Sequence, residues 1–377
     1  RSNIKLGDDI KMTSEYVLIL VWIGIAAVIF SQEGMQQPEN ICGKTEYRYR
    51  FLWAFLVFLP VIWMVGTRGN IGDTGSYEME FKKMAHTISG IASYMSTVKK
   101  DKGFYLLSSI IKVIVGNSTV RYFLMLALGQ GLCLIYVFRK YSSNYVVSIF
   151  LFLASSDYIS WMYNGIRQFT AVVLCFIGIE FLLNNKTTKF VLLILIASTM
   201  HQSALILIPF AIIAKGRAWN KKTIFFILAA LVVVVFIGRF TNILDTALSD
   251  TQYKNVVSDW KEFQDNGTNP LRVLVYAVPT ILSYIGRKII WIEDNKLINL
   301  CVNMSIISTG LYAVSMFTSG IFIGRLPIYF SLYNYILLPW EIENLFTERS
   351  KKLVYIGLIG FYLLFYYYQM HMTYAMF

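Results

Sequence analysis

Residues 190–214 decide the fold, because the run FVLLILIASTMHQSALILIPFAIIA is apolar at both ends and polar in its middle. A membrane-spanning helix needs about 20 mainly apolar residues. The polar stretch STMHQS, which contains His201 and is followed by Pro209, interrupts this one. Broken helices are tolerated at membrane depth only where they line a cavity or are buried in protein. The segment therefore predicts two half-helices that go out and return, with a cavity near His201.

The composition of the whole chain excludes a water-soluble protein. Of its 377 residues, 56% are hydrophobic and only 15% are charged, whereas soluble domains are about 25% charged. The net charge is +12, but most Lys and Arg residues lie in short loops between apolar segments, where they set membrane orientation. We therefore predict no nucleic-acid partner. The four cysteines have neither paired nor metal-ligand spacing, so no disulfide framework and no metal site are expected.

Apolar segments of suitable length predict an all-α polytopic membrane protein with about 10–12 transmembrane segments. The candidate spans are 15–31, 50–66, 120–138, 145–160, 166–183, 222–240, 271–290, 299–319, 322–340 and 353–371. Segment 104–115 contains Lys112 and is too short for an ordinary span, so we predict that it is broken, re-entrant or interfacial. Residues 1–377 are treated as one integral membrane domain, with Met12 as a candidate native start that leaves residues 1–11 expression-derived.

Basic residues in short loops predict the orientation of the spans. The basic loops lie near Lys44/Arg48, Arg139/Lys140, Lys186/Lys189, 215–222, Arg287/Lys288 and 349–352. If all of them are cytoplasmic, both termini face outside. The outer loops 67–103 and 241–270, the turn at 157–165 and the tip at His201 then face outside too. Every segment with unusual chemistry is placed on the outer side.

The first of these segments, GTRGNIGDTGSY (66–77), combines Arg68, Asp73 and Tyr77 with four glycines. Glycines allow sharp turns and the close approach of a ligand to the backbone. The spacing is not a nucleotide-binding fingerprint, which needs a preceding strand. A flexible loop with a solvated Arg–Asp pair would have the same sequence, so this alternative stays open.

Three further residues interrupt apolar runs. Arg167, next to Gln168, lies at a helix start, where its charge opposes the helix dipole unless a negative partner is present. It could also extend to the lipid headgroups. His201 is either a hydrogen-bonded structural residue or a proton acceptor. Arg325 carries the strongest signal, because no acidic residue occurs between 295 and 340 and a charge within a span usually faces a cavity or an ion pair.

Three outward arginines indicate an anionic ligand. A guanidinium donates two parallel hydrogen bonds to phosphate and keeps its charge, so a diphosphate attached to a membrane lipid would satisfy Arg68, Arg167 and Arg325. There is no Asp-x-Asp pair for a divalent ion, and no cofactor is predicted.

The order of these motifs resembles the EpsG-like branch of the Wzy-type bacterial polysaccharide polymerases, which make O-antigen, capsule or exopolysaccharide. The resemblance rests on Arg68, Gly72-Asp73-Thr74 and Tyr77, GFYLLSSII (103–111), Gly165-Ile166-Arg167-Gln168, HQSALI (201–206), Arg325, Tyr329-Phe330 and Pro339. It implies a GT-C-like helical bundle in the bacterial cytoplasmic membrane, with the active site facing outward. Lys102 stands where the family usually has a proline, so segment 104–115 is given no role.

The resemblance implies a glycosyltransferase that moves a growing glycan from undecaprenyl diphosphate to the acceptor sugar of another lipid-linked repeat unit. Arg68, Arg167 and Arg325 would bind the diphosphate, and Arg325 would also be catalytic. His201 or Asp73 would be the base, with His201 favoured because an arginine could neutralise Asp73. The residues that would position the glycan are Tyr77, Gln168 and Trp260.

The expected partners are lipid-linked oligosaccharides and membrane lipids, together with a chain-length regulator and a flippase. Other functions remain open. A different GT-C-type transferase or ligase would use the same residues. A flippase or transporter would be expected to show internal repeats, and none is evident. An acyltransferase using His201 would require the arginines to face the cytoplasm.

Overall fold

The computed structural model describes residues 2–30, 33–155, 157, 160–248 and 266–372. Trp260 and most of the predicted outer loop 241–270 lie outside the described residues. The described chain is almost entirely helical, with one β-hairpin. The predicted all-α polytopic fold is confirmed.

The secondary-structure elements follow one another with short connections. Up to residue 206 they are α1 (Ser2–Ile29), β1 (Gln36–Ile41), β2 (Lys44–Tyr49), α2 (Phe51–Gly66), α3 (Thr74–Lys83), α4 (Ile88–Thr97), α5 (Lys102–Val115), α6 (Thr119–Tyr141), α7 (Tyr145–Ala154), a π-helical turn (Ser160–Asn164), α8 (Ile166–Ile177), α9 (Ile179–Leu183), α10 (Thr187–Met200) and a 3-10 turn (Gln202–Ile206). Beyond it they are α11 (Leu207–Ala214), α12 (Lys221–Val235), α13 (Ile237–Leu248), α14 (Pro270–Ile285), α15 (Arg287–Glu293), α16 (Lys296–Met316), a 3-10 turn (Ile323–Arg325), α17 (Ile328–Ser331), α18 (Asn334–Leu345) and α19 (Glu348–Met372).

Several helices are long and apolar enough to cross a membrane. Within the described ranges there are four: Thr119–Tyr141, Ile166–Leu183, Lys296–Met316 and Glu348–Met372. Two bent pairs raise the number to six if each pair is one span. Shorter apolar helices include the predicted half-helix Thr187–Met200, which ends next to His201.

Three of the predicted spans are sharply bent or broken into short elements. The segment 222–240 bends by 100° between α12 and α13, and 271–290 bends by 67° at Gly286. The predicted span 322–340 consists of the 3-10 turn, α17 and the start of α18. Pro327 lies between the 3-10 turn and α17, and it has no backbone N–H to donate to a continuous helix at this point.

The chain forms two compact units. The first contains residues 1–205 and 346–377, and the second contains 206–345. The single integral membrane domain stays a prediction. The predicted outer loop 67–103 contains α3 and α4, while the predicted loop 241–270 begins within α13.

In the first unit, a β-hairpin marks one end of the helices. Its two-residue turn has positive φ at both Cys42 (52°) and Gly43 (90°), as a tight hairpin turn requires. The hairpin contacts the last turn of α6, where Arg139 pairs with Glu39 at 2.5 Å and donates to the Tyr49 carbonyl at 2.8 Å. This end of the unit is called the hairpin end.

The opposite end of the first unit gathers the loops that carry the motifs. Helix α1 runs antiparallel to α2, since Phe30 stacks near Trp53 and the Trp22 indole donates to the Val57 carbonyl at 3.2 Å. Tyr16 of α1 therefore lies at the level of Arg68, which follows α2. We call this the motif end.

The second unit is built around α16. This helix is buried over most of its length, including the polar residues Asn303, Ser305 and Ser308. Tyr312 stacks on Tyr276 of α14 at 4.7 Å, and the Thr280 hydroxyl contacts that of Ser305 at 2.7 Å. Interhelical hydrogen bonds of this kind are expected in membrane bundles, which lack a hydrophobic driving force between helices.

Candidate active site

Arg68 lies in an aromatic sandwich at the motif end. Its guanidinium carbon is 4.6 Å from the centre of the Phe123 ring and 4.7 Å from that of Tyr163. Nε donates to the Val65 carbonyl at 2.7 Å, and Nη1 donates to the Tyr163 carbonyl at 3.3 Å. Stacked arginines keep their planar fork oriented. These two rings and two carbonyls hold the Arg68 side chain in place.

The charge of Arg68 is not compensated by the described part of the protein. No described carboxylate lies within ion-pairing distance of it. Burial lowers the pKa of Arg68 to about 10, opposed by the phenols of Tyr163, Tyr77, Tyr122 and Tyr16. The group therefore stays protonated at neutral pH. A half-buried, oriented guanidinium without a described acidic partner has the geometry and charge that suit an anionic ligand.

The glycine-rich loop after Arg68 is held against the turn before α8 by Asn164. The Asn164 side-chain oxygen accepts from the backbone N–H of Asp73 at 3.2 Å. Gly72 has a φ of +53°, and a Cβ there would lie 1.7 Å from that oxygen. The Tyr77 hydroxyl donates to the Asn164 carbonyl at 3.4 Å. Gly72 is thus required for both its conformation and the close approach of Asn164.

Arg167 has an acidic partner, Asp101. Arg167 Nη1 lies 2.8 Å from the Asp101 carboxylate, whose side chain is only 5% exposed. Asp101 also accepts from the backbone N–H of Gln202, next to His201. Burial raises the pKa of Asp101, and Arg167 opposes this shift. Asp101 therefore joins the arginine motif to the histidine motif.

Tyr77 interacts with both Arg167 and Arg68. It hydrogen-bonds to Arg167 and is one of the phenols that interact with Arg68. Its ring packs edge-on against Phe104 at 6.2 Å. The Tyr77 side chain thus connects the surroundings of the Arg167 guanidinium with those of the Arg68 guanidinium.

His201 follows the last residue of α10 in an extended conformation, with φ −159° and ψ 123°. Its Nδ1 lies 2.7 Å from the Ser203 hydroxyl. Gly103 of α5 packs closely against the last turn of α10. A Cβ on Gly103 would lie 2.0 Å from the Thr199 hydroxyl oxygen. Gly103 therefore lets α5 approach the histidine turn. The end of α10 before His201 and the close contact between Gly103 and Thr199 agree with the predicted half-helix.

The remaining candidates have different settings. Asp73 is exposed at the start of α3 and has no side-chain cap hydrogen bond. No ion pair of the described residues joins it to Arg68 or Arg167, and the choice of His201 or Asp73 as the base stays a prediction. Gln168 is buried, 7% exposed, beside Arg167. Arg325 belongs to the second unit, where it is exposed and ends the 3-10 turn.

Lys112 is a buried cation that joins α5 to the end of α3. It is 1% exposed, and its ammonium donates to the carbonyls of Phe81 at 2.6 Å and Lys82 at 3.0 Å. These carbonyls end α3, where the helix dipole favours a cation. Lys112 thereby ties α5 to the helix that carries Tyr77.

Sequence reasoning missed Asp101 and Asn164. Asp101 lies among exposed lysines in the sequence, and its only local signal is that it precedes α5. Asn164 stands directly before Gly165 of a recognised motif, but nothing in the sequence connects it to Gly72. Both act through contacts between residues 60 or more positions apart.

The fold defines a multi-pass membrane protein, and its first unit has arginines gathered at the motif end. A model of the EpsG family matches residues 51–376. The chain belongs to the EpsG family, and this membership indicates a polysaccharide-polymerase role of glycosyltransferase type. No curated protein matches the chain, and no solved structure matches it.

Proposed function

We propose that the protein polymerises oligosaccharide repeat units carried on undecaprenyl diphosphate. The growing glycan moves to the acceptor sugar of an incoming lipid-linked unit, and lipid diphosphate leaves. The site faces the outside of the bacterial cytoplasmic membrane. This proposal extends the coarse role that family membership indicates.

Arg68 is the observation that carries the proposal. It is oriented by two rings and two carbonyls, and its positive charge has no acidic partner in the described chain. Keeping such a cation half-buried is costly unless a ligand supplies negative charge. A diphosphate supplies it with oxygens that match the guanidinium fork.

The reaction develops charge where these cations stand. The acceptor hydroxyl oxygen forms a bond to the anomeric carbon, while the bond from that carbon to the diphosphate oxygen breaks. The electron pair leaves with the diphosphate, whose growing charge is stabilised by prearranged donors such as Arg68 and Arg167. The role of Arg325, which belongs to the second unit, stays a prediction from the sequence. Tyr77 and Gln168 hold sugar hydroxyls.

The proton of the acceptor hydroxyl passes to a base. His201 and Asp73 are both candidates: the His201 ring lies in the turn after α10, where Nδ1 contacts the Ser203 hydroxyl, and Asp73 is exposed at the start of α3. An imidazole has a pKa suited to proton transfer near neutrality. We assign the role to His201 on this ground alone.

The test is polymer formation by the purified protein in lipid nanodiscs. Incubation with one lipid-linked repeat unit is expected to give a ladder of products on a gel. A single transfer without further steps would identify a ligase instead, and unchanged substrate would contradict the proposal.

A further inference from the structure

An apolar groove runs along the outside of the first unit, between α1, α7 and α19. It has a volume of about 540 Å³, within the ~300–1,000 Å³ that ligand pockets usually occupy. Its walls include Val17, Val21 and Gly24 of α1, Phe150 of α7 and Leu363 of α19. These α1 residues form one helical face, exposed at Val17 and Val21.

One end of the groove begins beside the Arg68 sandwich. Tyr16 is 1% exposed, immediately precedes Val17, and interacts with both Tyr163 and Arg68. From Val17 to Ala27 the groove follows α1 for ten residues, about 15 Å along a helix axis. This is about half of a bilayer's hydrocarbon core.

The other end of the groove reaches the hairpin end and becomes polar. A second hollow of about 290 Å³ shares Ala27, Val146 and Val147 with it and is also lined by Gln36 and Asn144. The apolar path thus leads away from the cationic motif end towards the polar hairpin end.

We propose that this groove binds the isoprenoid tail of the lipid diphosphate whose phosphates contact Arg68. The inference rests on the proposed function. The two ends of such a lipid match the two parts of the surface: its charged diphosphate meets the uncompensated guanidinium, and its apolar chain leaves along the adjoining apolar walls. The groove's α1 wall precedes the matched residues 51–376.

Gly24 offers a substitution that fills the groove without disturbing the fold. A Cβ at Gly24 would meet no atom within 4 Å, and replacing glycine in a helix interior favours the helix. Gly24→Phe therefore places a ring in the groove. Gly357→Phe in α19 is the matched control, because its Cβ would also meet nothing within 4 Å and it does not line the groove.

The first measurement compares polymerisation of repeat units carried on long and on two-isoprene diphosphates. The native protein is expected to have the lower KM for the long tail. Gly24→Phe should raise that KM about tenfold, a modest factor since lipid already surrounds the tail, with little change for the short tail. Gly357→Phe should behave as the native protein. An unchanged long-tail KM in Gly24→Phe would overturn the groove assignment.

The second measurement does not depend on polymerisation. A long isoprenyl diphosphate with a photoreactive group in its tail is added to the protein in nanodiscs, and the labelled peptides are identified. Labelling of the groove residues in α1 and α19, lost in Gly24→Phe and displaced by unlabelled isoprenyl diphosphate, supports the proposal even if no ladder forms. If excess phospholipid displaces the probe as well as isoprenyl diphosphate does, the groove is filled by bulk lipid. That result would overturn the proposal.

Discussion

Arg167 and Asp101 form a part-buried ion pair at 2.8 Å, with the arginine side chain 28% and the aspartate 5% exposed. The protein itself therefore compensates one of the two motif-end arginines. Arg68, in contrast, has no such partner in the described chain. The two residues are not equivalent members of one clamp: Arg68 carries the net charge that a ligand must neutralise, while Arg167 is a donor whose direction Asp101 sets.

Asp101→Asn should lower kcat by about tenfold to a hundredfold, because small misplacements of positioning groups have effects of that size. Asparagine tolerates the φ of +53° at this position and keeps an acceptor for Gln202, so the variant removes mainly the charge. Rates of ladder growth at saturating substrate measure the effect.

Glu39→Gln is the matched control for that substitution. It removes a carboxylate from the part-buried pair with Arg139 at the hairpin end, where the side chains are 18% and 10% exposed. Thermal stability is expected to fall in both variants, and kcat only in Asp101→Asn. Equal losses of kcat would show that Asp101 contributes stability alone.

Arg68→Ala should reduce kcat/KM by about 10²–10³-fold, the usual effect of removing a donor that stabilises developing charge. Arg68→Lys should recover only part of this, since an ammonium keeps the charge but loses the planar stack between Phe123 and Tyr163 and the paired donors. Steady-state kinetics on the lipid-linked substrate test both variants. Full activity of Arg68→Ala, in protein that is folded by circular dichroism, would remove Arg68 from the mechanism.

Gly72→Ala should abolish most activity, because its Cβ would overlap the Asn164 side chain and its φ is +53°. Gly69→Ala in the same loop is the control, since a Cβ there meets no atom within 4 Å. Polymer yield and melting temperature are compared for the pair. The argument fails if both substitutions have the same effect.

Hydrophobic length and loop charge were sufficient to predict the helical membrane fold and the helix end at His201. They did not predict the bend after Val235 or the β-hairpin, whose strands are polar. Residues in the motifs were identifiable because a charge in an apolar run is costly. Asp101 and Asn164 lie in polar loops, where a charged or amide side chain has no cost, so only the contacts with Arg167 and Gly72 reveal them.

The orientation of the first unit can be tested with a native cysteine. Cys42 is exposed in the hairpin turn, whereas Cys175 and Cys301 are buried and Cys133 is partly so. Basic loops at the hairpin end predict that Cys42 is cytoplasmic. A membrane-impermeant maleimide should leave Cys42 unlabelled in intact cells and should label it once the cells are permeabilised. Asn70→Cys, at the exposed motif end, should react in intact cells when Cys42 is replaced by serine. Reversed labelling would place Arg68 and His201 on the cytoplasmic side, where a polymerase that uses outward-facing lipid-linked units could not act.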